Sequence, residues 1–227
     1  MQVYKGILLM GGVGFDSNIY LVDGELVVDT GTGMFFSEIR DEMEKYGFEP
    51  RKIHTIVNTH SHFDHTGGNK KFRDWLKAEI AMHQSDKKAL ETGVGTLAEM
   101  FNEKPKSITV DKILRDGNTI TTKNFRFRVL STPGHTPGSI CLYEENRGIM
   151  FSGDTLFADS LGRTDLPGGD NRKLHESLLK LSKHRINYLF PGHGMPKVGG
   201  VNFLIKQLLE FYRSSRIPRH VFIDKQV

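Results

Sequence analysis

Seven consecutive residues, Thr59-His60-Ser61-His62-Phe63-Asp64-His65, constrain this chain more than any other stretch. Three imidazoles and a carboxylate fall within six positions, just past the apolar run Ile53 to Val57. Four titratable groups side by side are costly to bury unless something cationic satisfies them. Neutral imidazole and carboxylate form a borderline-hard donor set that suits zinc, iron or manganese. A surface loop that gathers histidines by chance is the bland alternative, and the rest of the chain weighs against it.

The same construction recurs three times. Residues 125–131 alternate apolar and polar, as a half-buried strand does, and run into Thr132-Pro133-Gly134-His135-Thr136-Pro137-Gly138. Residues 148–152 read as a short buried strand that ends at Gly153-Asp154, and residues 188–190 end at Pro191-Gly192-His193-Gly194. Each time a strand stops at glycine or proline and one metal-competent side chain follows. Turns beyond strand ends are where α/β proteins tend to place their chemistry. Any one of these turns alone reads equally well as a plain β-turn. Together they point to one site assembled from distant segments.

The motif His60-x-His62-x-Asp64-His65, followed by His135, Asp154 and His193, resembles the metallo-β-lactamase superfamily. Three segments resemble its glyoxalase II (hydroxyacylglutathione hydrolase-like) branch: Gly134-His135-Thr136-Pro137-Gly138-Ser139, Gly153-Asp154-Thr155-Leu156-Phe157 and Pro191-Gly192-His193-Gly194. The resemblance implies an α/β (α+β) fold, the αββα four-layer sandwich, with metals along one edge. It also implies two divalent metal ions, zinc with iron or manganese as alternatives. His60, His62 and His135 would hold the first, and Asp64, His65 and His193 the second, with Asp154 bridging. A hydroxide shared by the metals would attack a thioester carbonyl, with Asp64 orienting it. Val27-Val28-Asp29-Thr30-Gly31 resembles the family's turn beneath the metals, so Asp29 would orient a ligand histidine. From local sequence Asp29 reads equally well as a turn cap.

Arg163 matches the position of a glutathione-contacting basic residue in that branch, and an arginine there could grip a substrate carboxylate. Asp165 stands where those enzymes place a tyrosine. Only residues 201–227 remain for the long helical substrate domain of that branch. A separate C-terminal substrate domain is therefore not expected, and residues 1–227 read as a single domain. The alternative reaction is a persulfide dioxygenase of the same fold, with one iron on His60, His135 and Asp154. A lactonase or nuclease is a further alternative.

The remaining features set bounds. A single cysteine, Cys141, excludes an internal disulfide and fits a reducing compartment; its strand-like setting suits a buried apolar role. No signal peptide or run of transmembrane length is evident, which makes the cytoplasm the expected location. The net charge of +4 is spread along the chain rather than grouped. Nucleic acid is thus not expected, nor is a membrane; the resemblance implies a small-molecule thioester partner, with a homodimer open. Strands are expected at Val3 to Met10, Ser17 to Val22 and Glu25 to Asp29, with an Asp23-Gly24 hairpin turn between the last two. Helices are expected at 37–46, 172–183 and 201–213, and after Gly67-Gly68-Asn69 through Leu76. Residues 84–107 read as a short helix and a surface excursion rather than a loop bordering the site. His54, His83, His175, His184 and His220 are expected in satisfied or solvated roles, and the tail from Arg213 as a solvated end.

Overall fold

The alternation of apolar residues along the strands fixes the layers. The computed structural model describes residues 1–214, Val13 and Pro105 apart. The first sheet contains β1 (Gln2–Tyr4), β2 (Ile7–Gly11), β3 (Asn18–Val22), β4 (Leu26–Val28), β5 (Thr55–Val57), β6 (Glu79–His83) and β7 (Lys112–Leu114), in that spatial order. In the second, β8 (Thr119–Thr121), β9 (Arg126–Ser131), β10 (Ile140–Glu144), β11 (Ile149–Gly153), β12 (Tyr188–Pro191) and β13 (Lys197–Val198) also lie side by side in chain order. Successive side chains of a strand point to opposite faces. Ile7, Leu9, Tyr20, Val22, Val57 and Ala81 therefore meet Phe127, Val129, Ile140, Leu142 and Phe151 in a core between the sheets.

The alternate residues Leu8, Met10, Ile19, Leu21, Ile80 and Met82 pack outward against α1 (Phe36–Lys45) and α3 (Asn69–Leu76). On the other side Cys141, Tyr143, Met150 and Leu189 pack against α5 (Asn171–Leu181) and α6 (Val201–Ser214). Two further α-helices lie among the described residues, α2 (Phe63–Thr66) and α4 (Gln84–Thr92). The result is a helix–sheet–sheet–helix sandwich with three apolar layers, as expected. No described helix is long and apolar enough to cross a membrane.

Register places the turns that matter. β4, β5, β6 and β7 run parallel, so their C-terminal ends share one edge. β11 and β12 are also parallel, with Phe151 opposite Phe190 and Gly153 opposite Pro191. That pairing sets Asp154 beside Gly192 and His193. The amide of Ile140, at the start of β10, donates to the Thr59 carbonyl at 2.9 Å and joins the two sheets at this edge.

Two expectations are refined and one holds. The Val3–Met10 run is two strands, because Gly6, at φ 83°, turns the chain back so that β1 pairs antiparallel with β2. The Asp23-Gly24 turn is as expected, with both residues at positive φ (52° and 68°) in the three-residue connection that pairs Val22 with Leu26. Residues 93–104 are not a mere surface excursion. The Thr96 carbonyl accepts from the Phe63 amide at 2.7 Å, and Phe101 packs its ring 5.5 Å from that of Phe63. The stretch holds α2, the helix that carries Asp64 and His65. Residues beyond Ser214, His220 included, lie outside the described residues.

Candidate metal centre

Four loops at this shared edge deliver seven side chains. His60 and His62 come from the loop after β5, and Asp64 and His65 from α2. His135 comes from the β9–β10 turn, and Asp154 and His193 from the ends of β11 and β12. Three groups of ligand atoms converge, each within 4.8 Å: His60, His62 and His135; His60, His65 and Asp154; Asp64, His65 and His193. His62 Nδ1 lies 2.9 Å from His135 Nε2, and His193 Nε2 lies 3.0 Å from Asp64 Oδ2. Asp154 faces both halves. Its Oδ1 is 3.2 Å from His65 Nε2, and its Oδ2 is 3.6 Å from His135 Nε2 and 3.7 Å from His193 Nε2.

The donors fit divalent cations on two grounds. His60 Nε2 and Asp154 Oδ1 are buried and have no hydrogen-bond partner, a condition that native interiors rarely tolerate and that a shared cation relieves. The far nitrogens of His60, His65 and His135 are also held, so the near ones face the centre. Asp29 Oδ2 accepts from His65 Nδ1 at 2.8 Å and from the Thr59 hydroxyl at 2.8 Å. With its proton committed to Asp29, the Thr59 oxygen accepts from His60 Nδ1 at 3.1 Å. His135 Nδ1 donates to the Arg163 carbonyl at 2.8 Å. Such partners fix the tautomer of a ligand imidazole. Asp29 also accepts from the Thr59 amide at 2.8 Å, so one carboxylate orients ligands on both sides of the loop.

The electrostatics of the metal-free chain divide the site. Burial, with the neighbouring His135, pushes His62 down to about 3, and burial with His65 drives His60 well below its usual value. These rings stay neutral, the state that ligates metal. Burial also opposes charge on His65, but Asp154, Asp29 and Asp64 outweigh it and raise its pKa well above the usual value. Asp154 is held well below the usual carboxylate range: burial works against its charge, and His65 and His193 overcome it.

All seven expected ligands meet here, with Asp29 beneath them. Arg163 lies beside this centre, where its backbone holds His135. Its guanidinium donates to both carboxylate oxygens of Asp165, at 2.7 and 2.6 Å, a paired geometry that engages the fork expected to grip a substrate. Its contribution to the centre is the backbone carbonyl that holds His135.

Sequence reasoning missed three residues. Asp86, in the first turn of α4, is buried and accepts from the Ser61 amide (2.9 Å), the Thr136 hydroxyl (2.7 Å) and the Gly138 amide (2.6 Å). Asn18 donates its amide to the carbonyls of Pro191 (2.9 Å) and Gly194 (2.8 Å). The Tyr20 hydroxyl also donates to Pro191, at 2.8 Å. Asp86 looks like an ordinary acidic residue at a helix start, and nothing local marks the other two. Of the remaining described histidines, His54 is exposed, His83 contacts the Ser131 hydroxyl at 3.0 Å, and His184 and His175 lie tilted against Tyr143 and Tyr212; against the expectation of a satisfied role, His175 Nε2 is buried with no hydrogen-bond partner.

The metallo-beta-lactamase superfamily profile matches residues 12–193. The probable metallo-hydrolase MJ0888 of Methanocaldococcus jannaschii is 34% identical over 198 residues, 83% of this chain and 92% of that protein. The human acyl-coenzyme A thioesterase MBLAC2 is 31% identical over 174 residues, 64% of this chain and 60% of that one. Among solved structures, TTHA1623 in a di-iron-bound form superposes with a TM-score of 0.71 at 28% identity, covering 84% of this chain and 94% of that one.

Proposed function

The chain belongs to the metallo-beta-lactamase superfamily, and from that premise we propose that it is a dinuclear metal-dependent hydrolase of thioesters. The observation that carries the reading is the convergence of two ligand groups on Asp154, with buried donor atoms left unsatisfied at their centre. His60, His62 and His135 would hold one ion, and Asp64, His65 and His193 the other, with Asp154 serving both. Two divalent ions, zinc in this proposal, supply a water of near-neutral pKa and a Lewis acid for a carbonyl oxygen.

The residues of the chain do the rest. Asp29, through His65 and Thr59, keeps the ligand rings aimed at the centre. Asp64, with a carboxylate oxygen 3.0 Å from His193, is placed to orient the attacking water by accepting its proton. No thiol nucleophile competes, since Cys141 is fully buried and burial pushes its pKa up to about 11. The thioester choice is supported by the human thioesterase relative and by leaving-group chemistry. A thiol with a pKa of about 8.5 departs as thiolate without a general acid. A cytoplasmic location and a small-molecule partner belong to the same reading. The persulfide dioxygenase alternative uses only His60, His135 and Asp154, and leaves the convergence of Asp64, His65 and His193 without a purpose.

The test is metal content per chain in protein purified without added metal or oxygen, followed by a panel of acyl-glutathione and acyl-coenzyme A thioesters. The expected outcome is about two ions per chain, as a two-metal site requires, with release of thiol. Asp154→Ala should lose activity and most of the metal together. One iron per chain, with oxygen uptake on a persulfide and no hydrolysis, would overturn the reading.

A further inference from the structure

We propose that Asp86 and Asn18 are positioning residues that brace the two halves of the metal centre independently, Asp86 the three-histidine half and Asn18 the half that contains His193. The inference rests on the dinuclear reading and adds to it a separate control of each metal's affinity.

The Asp86 side comes from α4, an element that supplies no ligand. Its carboxylate is buried, and its three donors lie on two different ligand loops. Ser61 sits between His60 and His62, whereas Thr136 and Gly138 follow His135. One charge therefore ties two ligands of this half to the third. If either loop shifted, a buried carboxylate would lose a charge-assisted bond, which is far costlier than losing a neutral one. The approach is close by construction, because a methyl group on Gly138 would lie 2.6 Å from Asp86 Cγ. Thr136 is further held through its amide, which donates to Ser139 Oγ at 3.0 Å.

The Asn18 side comes from the first sheet. Its side-chain amide spans the His193 loop, reaching carbonyls on both sides of that histidine, Pro191 and Gly194. Its backbone amide takes the carbonyl between them, Gly192, at 2.6 Å. The preceding residue, Ser17, donates its amide to the Asp64 carbonyl at 3.2 Å. The start of β3 thus fixes two ligands of the second half. The contacts of Asp86 fall on residues 61 to 138 and those of Asn18 on residues 191 to 194 and Tyr20, so neither brace works through the other.

The experiment is cadmium-113 NMR of the full chain with both sites filled, combined with chelator titration of each signal. His193→Ala assigns the signals. Asp86→Ala is expected to weaken the three-histidine site by about ten- to a hundredfold, the usual effect of removing a partner of ligand loops, and to leave the other signal in place. Asp86→Asn keeps the shape and turns an NH2 group toward the Gly138 amide, so an intermediate loss at the same site is expected. Asn18→Ala should produce the reverse selectivity. A merely structural role would weaken both sites together, and that result, or no change at either, overturns the proposal. A single signal in the wild-type protein is a different outcome: it overturns the dinuclear reading, and the proposal falls with it.

Discussion

Gly192 passes so close to the metal centre that a side chain there would occupy the space of a ligand. A methyl group would lie 2.2 Å from Asp154 Oδ1 and 2.7 Å from His65 Cε1. Gly192→Ala should therefore displace Asp154 and reduce metal content per chain while the sandwich still folds, as elemental analysis and circular dichroism would show. Full metal content in that variant would mean that Asp154 does not sit where both ions need it. At this scale the metal-competent side chains of His60 to His65 were legible, because imidazoles and carboxylates in that spacing have few other uses. Asp86 and Asn18 were not. The partners of Asp86 lie 25 to 52 residues away, and the carbonyls held by Asn18 lie 173 and 176 residues away, beyond any local pattern.

At the scale of elements, the weakest support in the site is α2. It has four residues, too few to be stable alone, yet it carries Asp64 and His65. Its support comes from residues 93–104, where Phe101 packs on Phe63 and also meets Phe15, with ring centroids 6.5 Å apart. Phe101→Ala should remove ring contacts of about 1 kcal/mol, enough to lower the melting temperature by roughly 2–4 °C in a chain of this size. The proposed hydrolysis should fall by more than that modest loss would suggest, since the helix that bears Asp64 and His65 loosens first. An unchanged rate would show that α2 is held by its loop hydrogen bonds alone. The sequence marked the short helix in 84–107 but read the rest as a surface excursion, because a packing role for Phe101 depends on where Phe63 ends up.

Across the whole molecule, each sheet supplies part of the centre. The first contributes His60, His62, Asp64 and His65, and the second His135, Asp154 and His193. Bound metal would therefore staple the sheets at their shared edge, outside the apolar layer that joins them. A ligand that binds only the folded state, present at a hundredfold over its dissociation constant, adds about 2.7 kcal/mol. Chelation should lower the melting temperature, and zinc should restore it in a concentration-dependent way. A melting temperature indifferent to chelator would argue that the two sheets hold the edge without metal.

The sequence by itself marked many of the strands, the Asp23-Gly24 turn and the seven side chains that converge at the edge, and its resemblance to a known family implied the sandwich. Those properties are written in a few neighbouring residues: a period of two, a turn that tolerates positive φ, a donor set that suits one kind of ion. Only the tertiary structure decided that β11 and β12 pair in parallel and so bring Asp154 to His193. It also decided that Asp165 takes the guanidinium of Arg163, and that Asp86 and Asn18 reach loops far along the chain. Such contacts join residues distant in sequence. Their energy exists only once the sheets have packed, so no local pattern can announce them.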